Sequence, residues 1–308
     1  MVAQKVKKLH GFKRAQLFQT IFVWSMIVIP IVHWLIFWLG VNLNSILMAF
    51  QLPTGEYSLF TLQQVIESLG NAGSKLAIAV KNTLTYFVVG LFMTVFNLVV
   101  SYCLFKKVRA WRFFEIAFYL PSIVGGVVME LAFVQFLSPV SAYTTAGPIV
   151  ELLMAVGVPA KEVPVFLGQE WANKTLIFYT CWIGWGGNML LFCGAFARIP
   201  LEVIESARLD GISGLKELIY ILFPLIWPTF STILVLQFTG LFGAGGPVLT
   251  MTGGNFDTQT IGYWIYDLVT ESGSYNEVAA AGLVFTCIGT PIALFVRWLV
   301  DKVPAVEY

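Results

Sequence analysis

The chain has 308 residues, of which 58% are hydrophobic and 11% charged, with 26 phenylalanines and a formal net charge of +1. Soluble domains carry roughly 25% charged residues, so a soluble protein of this composition would expose far too much apolar surface. The charge balance excludes a broadly basic nucleic-acid binder, and the hydrophobicity excludes a disordered chain.

Six apolar runs are long enough to cross a bilayer, at about 17–39, 83–105, 113–136, 175–196, 218–241 and 279–299. Each is expected to be helical, because a lone segment in hydrocarbon must satisfy its own backbone hydrogen bonds. The predicted fold class is therefore an all-α integral membrane protein with six transmembrane helices. The first run follows Lys5, Lys7, Lys8, Lys13 and Arg14, as a signal peptide would. It is long, rich in Trp and Phe and lacks a small-residue cleavage site after it, so it reads as a retained span. The polar stretch Gln51–Ser74, with Pro53, Gly55, Gly70 and Gly73, divides residues 1–80 (tail, first helix and outer loop) from a five-helix core at 81–308. In the third run Pro121 and Gly125-Gly126 mark a local weak point in the helix. The run Pro148–Val158 is too short to span and reads as an interfacial helix.

The basic residues sort by side. The N-terminal five, then Lys106, Lys107, Arg109 and Arg112, then Arg198, Arg208 and Lys216, then Arg297 and Lys302 fall on one side of the predicted spans. Of the 18 Lys and Arg, only Lys75, Lys81, Lys161 and Lys174 fall on the other. The positive-inside rule then puts both termini in the cytoplasm.

Catalytic chemistry finds no foothold. Cys103, Cys181, Cys193 and Cys287 lie in apolar stretches, and His10 and His33 have no partner at ligand spacing, so no metal site is expected. The chain has no phosphate-binding G-x-x-x-x-G-K-[ST] loop and no G-x-S-x-G nucleophile motif. Polar groups inside the runs are costly and invite a functional reading. Glu130 and Gln135 lie in the outer part of the third run, where facing a cavity that holds sugar hydroxyls and making a structural hydrogen bond are equally good readings. Trp182, Trp185 and Asn188, spaced by three, share a helix face in the fourth run. Stacked aromatics beside an amide suit a sugar ring, although Trp is also common as interfacial packing. Gln237 in the fifth run carries the same two readings.

The loop between the fourth and fifth runs carries the sharpest signal. Pro200 suits a helix start, Glu202 and Glu205 favour its positive end, and Gly211 can stop it in a left-handed conformation. A cytoplasmic helix of about ten residues is predicted, with Leu201, Ile204 and Leu209 as its apolar side. Glu205-Ser206-Ala207, three residues, Gly211, and then Ile221-Leu222-Phe223-Pro224 resembles the EAA loop of ABC importer permeases, with Ser206 for the middle Ala. Trp185-Gly-Gly-Asn188 before the loop, Ile199-Pro200 at its start, and Thr252-Gly253-Gly254, Thr260 and Tyr263–Tyr266 after it resemble the sugar-type (maltose/glycerol-phosphate-like) permeases. Asn255 and Phe256 replace the third Gly and the Pro of that last segment. The EAA loop occupies 198–224, and the resemblance covers roughly 80–300.

The resemblance implies a multi-pass transport subunit of a bacterial-type cell membrane, with no cofactor of its own. It implies a second, homologous permease subunit, two cytoplasmic ABC ATPases that hold ATP and Mg, and an extracellular binding protein that delivers a carbohydrate. Glu205, Ser206, Ala207, Asp210 and Gly211 become the expected ATPase-coupling residues. Glu130, Gln135, Trp182, Trp185, Asn188 and Gln237 become expected path residues. A peptide or polyol cargo, or an ion-coupled secondary transporter, remain alternatives.

Overall fold

The computed structural model describes residues 2–52, 54–139, 146–160 and 162–304, with side chains from Phe18 onward. The side chains of Lys5, Lys7, Lys8, His10, Lys13 and Arg14, and the whole of Lys161, lie outside that set. Among the described residues the chain is helical, with one isolated antiparallel bridge, Gln51 to Tyr57. It forms two compact units, residues 1–63 with 274–283, and residues 64–273 with 284–308.

The first unit begins with α1 (Val2–His33), which continues through a π-helical stretch, Trp34–Gly40, into α2 (Val41–Ala49). The apolar helix thus runs over Phe18–Ala49, ten residues beyond the predicted end of the first span. Polar residues do not stop it, because they bond back along the helix. Asn42 Nδ2 donates to the Trp38 carbonyl, and Ser45 Oγ to the Val41 carbonyl at 3.0 Å. From Phe18 to Leu47 its apolar side chains are exposed except for a half-buried Leu39, as a helix facing lipid requires, and it becomes buried only at its end, at Ala49. The bridge after it is closed by Gly55 at φ +90°, a conformation that suits glycine. Helix α3 (Phe60–Gly70) then fills part of the stretch predicted as loop.

In the second unit, α4 (Lys75–Phe105) starts eight residues before the predicted span. Ser74 caps it, with its Oγ accepting from the Ala77 N–H at 3.0 Å. At about 1.5 Å per residue α4 is roughly 45 Å long, so its two ends define two ends of the bundle. The third predicted span is two helices, α5 (Trp111–Ile123) and α6 (Gly126–Phe136), bent by 102° at Val124-Gly125. The weak point is a full break: Val124 and Gly125 adopt extended ψ values of 140° and 129°. Helix α7 (Pro148–Ala155) is the predicted short helix, with Pro148 at its first turn.

The fourth span is also interrupted. Helix α8 (Ala172–Gly184) is separated from α9 (Met189–Ala197) by turns over Trp185–Asn188. The short helices α10 (Leu201–Leu209) and α11 (Leu215–Glu217) come next. A π-helical turn, Leu218–Leu222, leads into α12 (Phe223–Thr239) as the fifth span. Helices α13 (Val248–Met251) and α14 (Ile261–Asp267) precede α15 (Tyr275–Asp301), the sixth. Among the described residues the chain therefore carries five long apolar helices, and six spans when the bent pair counts as one.

The helices pack through small and polar residues as much as through apolar ones, as expected where lipid offers no hydrophobic drive between helices. One apolar cluster joins Leu98 and Tyr102 of α4, Phe192 and Phe196 of α9, Ile204 of α10, and Leu218, Leu222 and Ile226. Gly186, in the break of the fourth span, lies against α5. A Cβ there would stand 2.7 Å from both the Phe118 carbonyl oxygen and Ser122 Oγ. The break of one span thus packs beside the end of the helix that precedes the other.

Candidate coupling and translocation sites

Helix α10 is built by its own sequence. Pro200 precedes its first turn in an extended conformation, and Glu202 lies in that turn. At the other end the Ile212 N–H donates to the Ala207 carbonyl at 3.0 Å, and the Gly211 N–H to the Arg208 carbonyl at 3.0 Å. With Gly211 at φ +75° this is a Schellman stop. Ile204 and Ala207 are buried, whereas Glu205, Ser206 and Asp210 are exposed. The predicted apolar side is corrected here: Leu201 and Leu209 are 61% and 89% exposed. Leu209 is five residues from Ile204, about 140° around the helix at 3.6 residues per turn, so the two cannot share a face. The helix therefore presents outward two large apolar side chains beside Glu205, and holds itself down by Ile204 and Ala207.

The far side of the loop is tied to α4. Gly214 sits at φ 60°, ψ −135°, and its carbonyl accepts from the Tyr102 hydroxyl at 2.8 Å. Lys106 Nζ stands 2.7 Å from Glu217 Oε1. Glu217 had no place in the sequence reading, and Lys106 counted only as a topology charge.

The opposite end of α4 meets the segment after α13. Asn82 Nδ2 donates to the Asp257 and Gln259 carbonyls at 2.7 and 2.8 Å, and the Ile261 N–H donates to Thr83 Oγ1 at 3.0 Å. Gly253, Gly254, Phe256 and Asp257 all have positive φ. The Tyr263 hydroxyl donates to the Gly253 carbonyl, and its ring leaves no room for a Cβ on Gly254. Thr252 and Thr258 hydroxyls bond at 2.7 Å, which closes the loop on itself. The Tyr263 hydroxyl has its pKa raised, first by burial and then by the nearby carboxylates Asp267 and Glu271.

Between these ends lies a belt of polar side chains. Thr94 Oγ1 accepts from Gln237 Nε2 of α12 and from Asn188 Nδ2 at 3.3 Å, and donates to the Gly90 carbonyl at 3.1 Å. Asn97 Nδ2 donates to the Gly184 carbonyl at 3.0 Å, and Ser101 Oγ to the Met189 carbonyl at 3.2 Å. The Gly184 carbonyl, at the end of α8 where the fourth span is interrupted, is thus taken up by α4. Asn97 Oδ1, Gln237 Oε1 and the Tyr86 hydroxyl are buried without a hydrogen-bond partner among the described residues.

Of the expected path residues, Asn188 and Gln237 converge on Thr94. Trp182 and Trp185 have different aromatic neighbours. Trp182 packs on Phe133 and Tyr179, and Trp185 on Phe96 and Phe118. Glu130 accepts from Thr250 Oγ1 of α13, and Gln135 is exposed at the end of α6. Sequence reading missed Thr94, Asn97, Ser101 and Thr250. The first three had a signal, since positions 94, 97 and 101 form one polar stripe on a helix.

Comparison with known proteins bears on both ends of the molecule. The chain is 28% identical over 200 residues to the galactooligosaccharides transport system permease protein GanP of Bacillus subtilis (strain 168), covering 62% of this chain and 46% of that one. It is 24% identical over 206 residues to the multiple sugar-binding transport system permease protein MsmF of Streptococcus mutans serotype c, covering 66% of this chain and 68% of that one. The matched part is thus about half of GanP and two thirds of MsmF. A chain from the crystal structure of a bacterial ABC transporter involved in the import of the acidic polysaccharide alginate superposes with a TM-score of 0.76 at 22% identity, over 92% of this chain and 96% of that one. At that identity the likeness is one of fold. Residues 88–304 match the family model described as binding-protein-dependent transport system inner membrane component. That stretch holds α10, the polar belt and the loop on Tyr263, and it is well over half of the chain, which therefore belongs to this family of membrane transport components.

Proposed function

We propose that this chain is one of two permease subunits of an ATP-driven importer and that its solute is a carbohydrate. The observation that carries the reading is α10 within the matched stretch: a nine-residue helix with its own stop at Gly211, held by Ile204 and Ala207, and free to present Glu205. In this reading two cytoplasmic ATPases, which bind ATP and Mg, receive α10 and its counterpart on a homologous second permease. An extracellular binding protein delivers the solute at the opposite end of α4. ATP hydrolysis belongs to the partner, and the role of this chain is to turn closure of the ATPase into movement of its spans.

The carbohydrate is inferred from the activities that name GanP and MsmF and from the chemistry of the spans. Trp182 and Trp185 offer apolar faces, while Asn188, Gln237 and the acceptor oxygen of Asn97 offer neutral polar groups. Glu130 and Gln135 complete the proposed path. Affinity in such a path is weak, because a tightly held solute would not leave. The test is to purify the tagged chain with its native partners from the cells that make it and to identify the proteins that accompany it. A co-purifying P-loop ATPase, stimulated by the binding protein loaded with a malto- or galactooligosaccharide, is the expected result. Absence of an ATPase overturns the importer reading, and a binding protein that captures peptides or polyols and ignores sugars overturns the carbohydrate.

A further inference from the structure

The carboxylate of Glu217 is 1% exposed and the Lys106 side chain 21%, with 2.7 Å between Nζ and Oε1. They are 111 positions apart, at the end of α4 and the start of the fifth span. A buried pair of this kind is weak as a stabiliser, because desolvation of both charges offsets their attraction; its best-attested use is to fix register between elements. Tyr102 makes a second tie one turn away: its hydroxyl holds the Gly214 carbonyl at 2.8 Å, and its ring lies 5.9 Å from the Lys106 ammonium. Between these ties and α10 the chain passes Gly211 and Gly214, both at positive φ. Two glycines separated by two residues make a joint, so a moving α10 passes little of its motion to the fifth span along the backbone itself.

Resting on the importer reading above, we propose that Lys106 and Glu217 are positioning residues that lock the start of the fifth span to the end of α4, so that displacement of α10 moves both helices together. Neither side chain touches solute or nucleotide in this scheme. Ile204 seats α10 on the apolar cluster that includes Leu98, Tyr102, Leu218 and Leu222, and the ion pair prevents that cluster from shearing between α4 and the fifth span. The glycine joint then permits α10 to tilt, and the clamp carries the tilt into both helices at once.

The experiment compares amide hydrogen exchange in the purified complex without nucleotide and after trapping with ATP, Mg and orthovanadate. In the unsubstituted complex, peptides over 201–212 and over 98–108 are expected to change protection together. In Glu217→Gln and in Lys106→Met the response over 201–212 persists and the response over 98–108 is lost. The swapped pair, Lys106→Glu with Glu217→Lys, restores it. A purely structural role would raise exchange in both states and leave the nucleotide-dependent difference intact. Persistence of the 98–108 response in the single variants overturns the proposal. Where a single variant does not assemble, the apolar pair Lys106→Met with Glu217→Leu replaces it: loss of the 98–108 response supports the clamp, and retention overturns it. A 201–212 segment that ignores nucleotide in the unsubstituted complex overturns the importer reading instead, and the two failures are therefore distinguishable.

Discussion

At the scale of single residues, two positions carry sharp expectations. Gly211 stops α10 at φ +75°, and a Cβ added there would meet nothing within 4 Å, so the objection to a side chain is conformational and not steric. A left-handed β-branched residue costs about 1–2 kcal/mol. Gly211→Val is therefore expected to leave the subunit in the membrane while lowering the docked fraction of α10, and with it solute uptake, by about tenfold. Uptake at the unsubstituted level would contradict this. Thr94 accepts from both Gln237 and Asn188. Thr94→Val leaves two amide donors without their acceptor and is expected to destabilise the detergent-solubilised subunit by about 1 kcal/mol or more, read as a lower unfolding temperature. Thr94→Ser keeps the hydroxyl and is expected to keep most of that stability. Gly211 was legible from its spacing after Glu205. The meaning of Thr94 was not, because its partners lie 94 and 143 positions away.

At the scale of elements, the two interrupted spans behave differently towards added volume. A Cβ on Gly126, at the start of α6, meets nothing within 4 Å, whereas one on Gly186 meets α5 backbone at 2.7 Å. Gly126→Ala is expected to be close to neutral in thermal unfolding. Gly186→Ala is expected to cost about 1–3 kcal/mol, because α5 must move away from the break. Equal effects of the two substitutions would show that the contact between the break and α5 is not what holds them. Pro121 and Gly125-Gly126 announced weakness in the third run, yet a proline in a transmembrane helix is tolerated when neighbours satisfy the freed groups. Whether the run kinks or breaks by 102° depends on those neighbours. Trp182 and Trp185 make the same point: three-residue spacing does not say which rings stand beside each side chain, and the two pack on different ones.

At the scale of the molecule, α4 has the α10 loop at one end and the Thr252–Thr260 loop at the other, and the distribution of Lys and Arg predicts that the α10 end is cytoplasmic. Cysteine placed at Ser213 in intact cells is expected to react with a membrane-impermeant maleimide only after permeabilisation, and cysteine placed at Asn255 without it; both positions are exposed. Labelling of both from the same side would overturn the orientation. Hydropathy, charge asymmetry, capping residues and the Glu205-to-Pro224 spacing are sums over neighbouring positions, and so the number of spans, the class of fold and the existence and stop of α10 could be derived from the chain read in order. The beginning of α4 at Ser74 and the persistence of the first helix to Ala49 lay at the margin, since polar residues that bond within a helix look like loop in composition. The break at Val124-Gly125, the convergence of Asn188 and Gln237 on Thr94, the bond from Thr250 to Glu130 and the Lys106–Glu217 pair were decided by the tertiary structure alone. Each depends on which helix stands beside which, and a buried polar group in hydrocarbon takes the partner that packing brings within reach, wherever in the chain that partner lies.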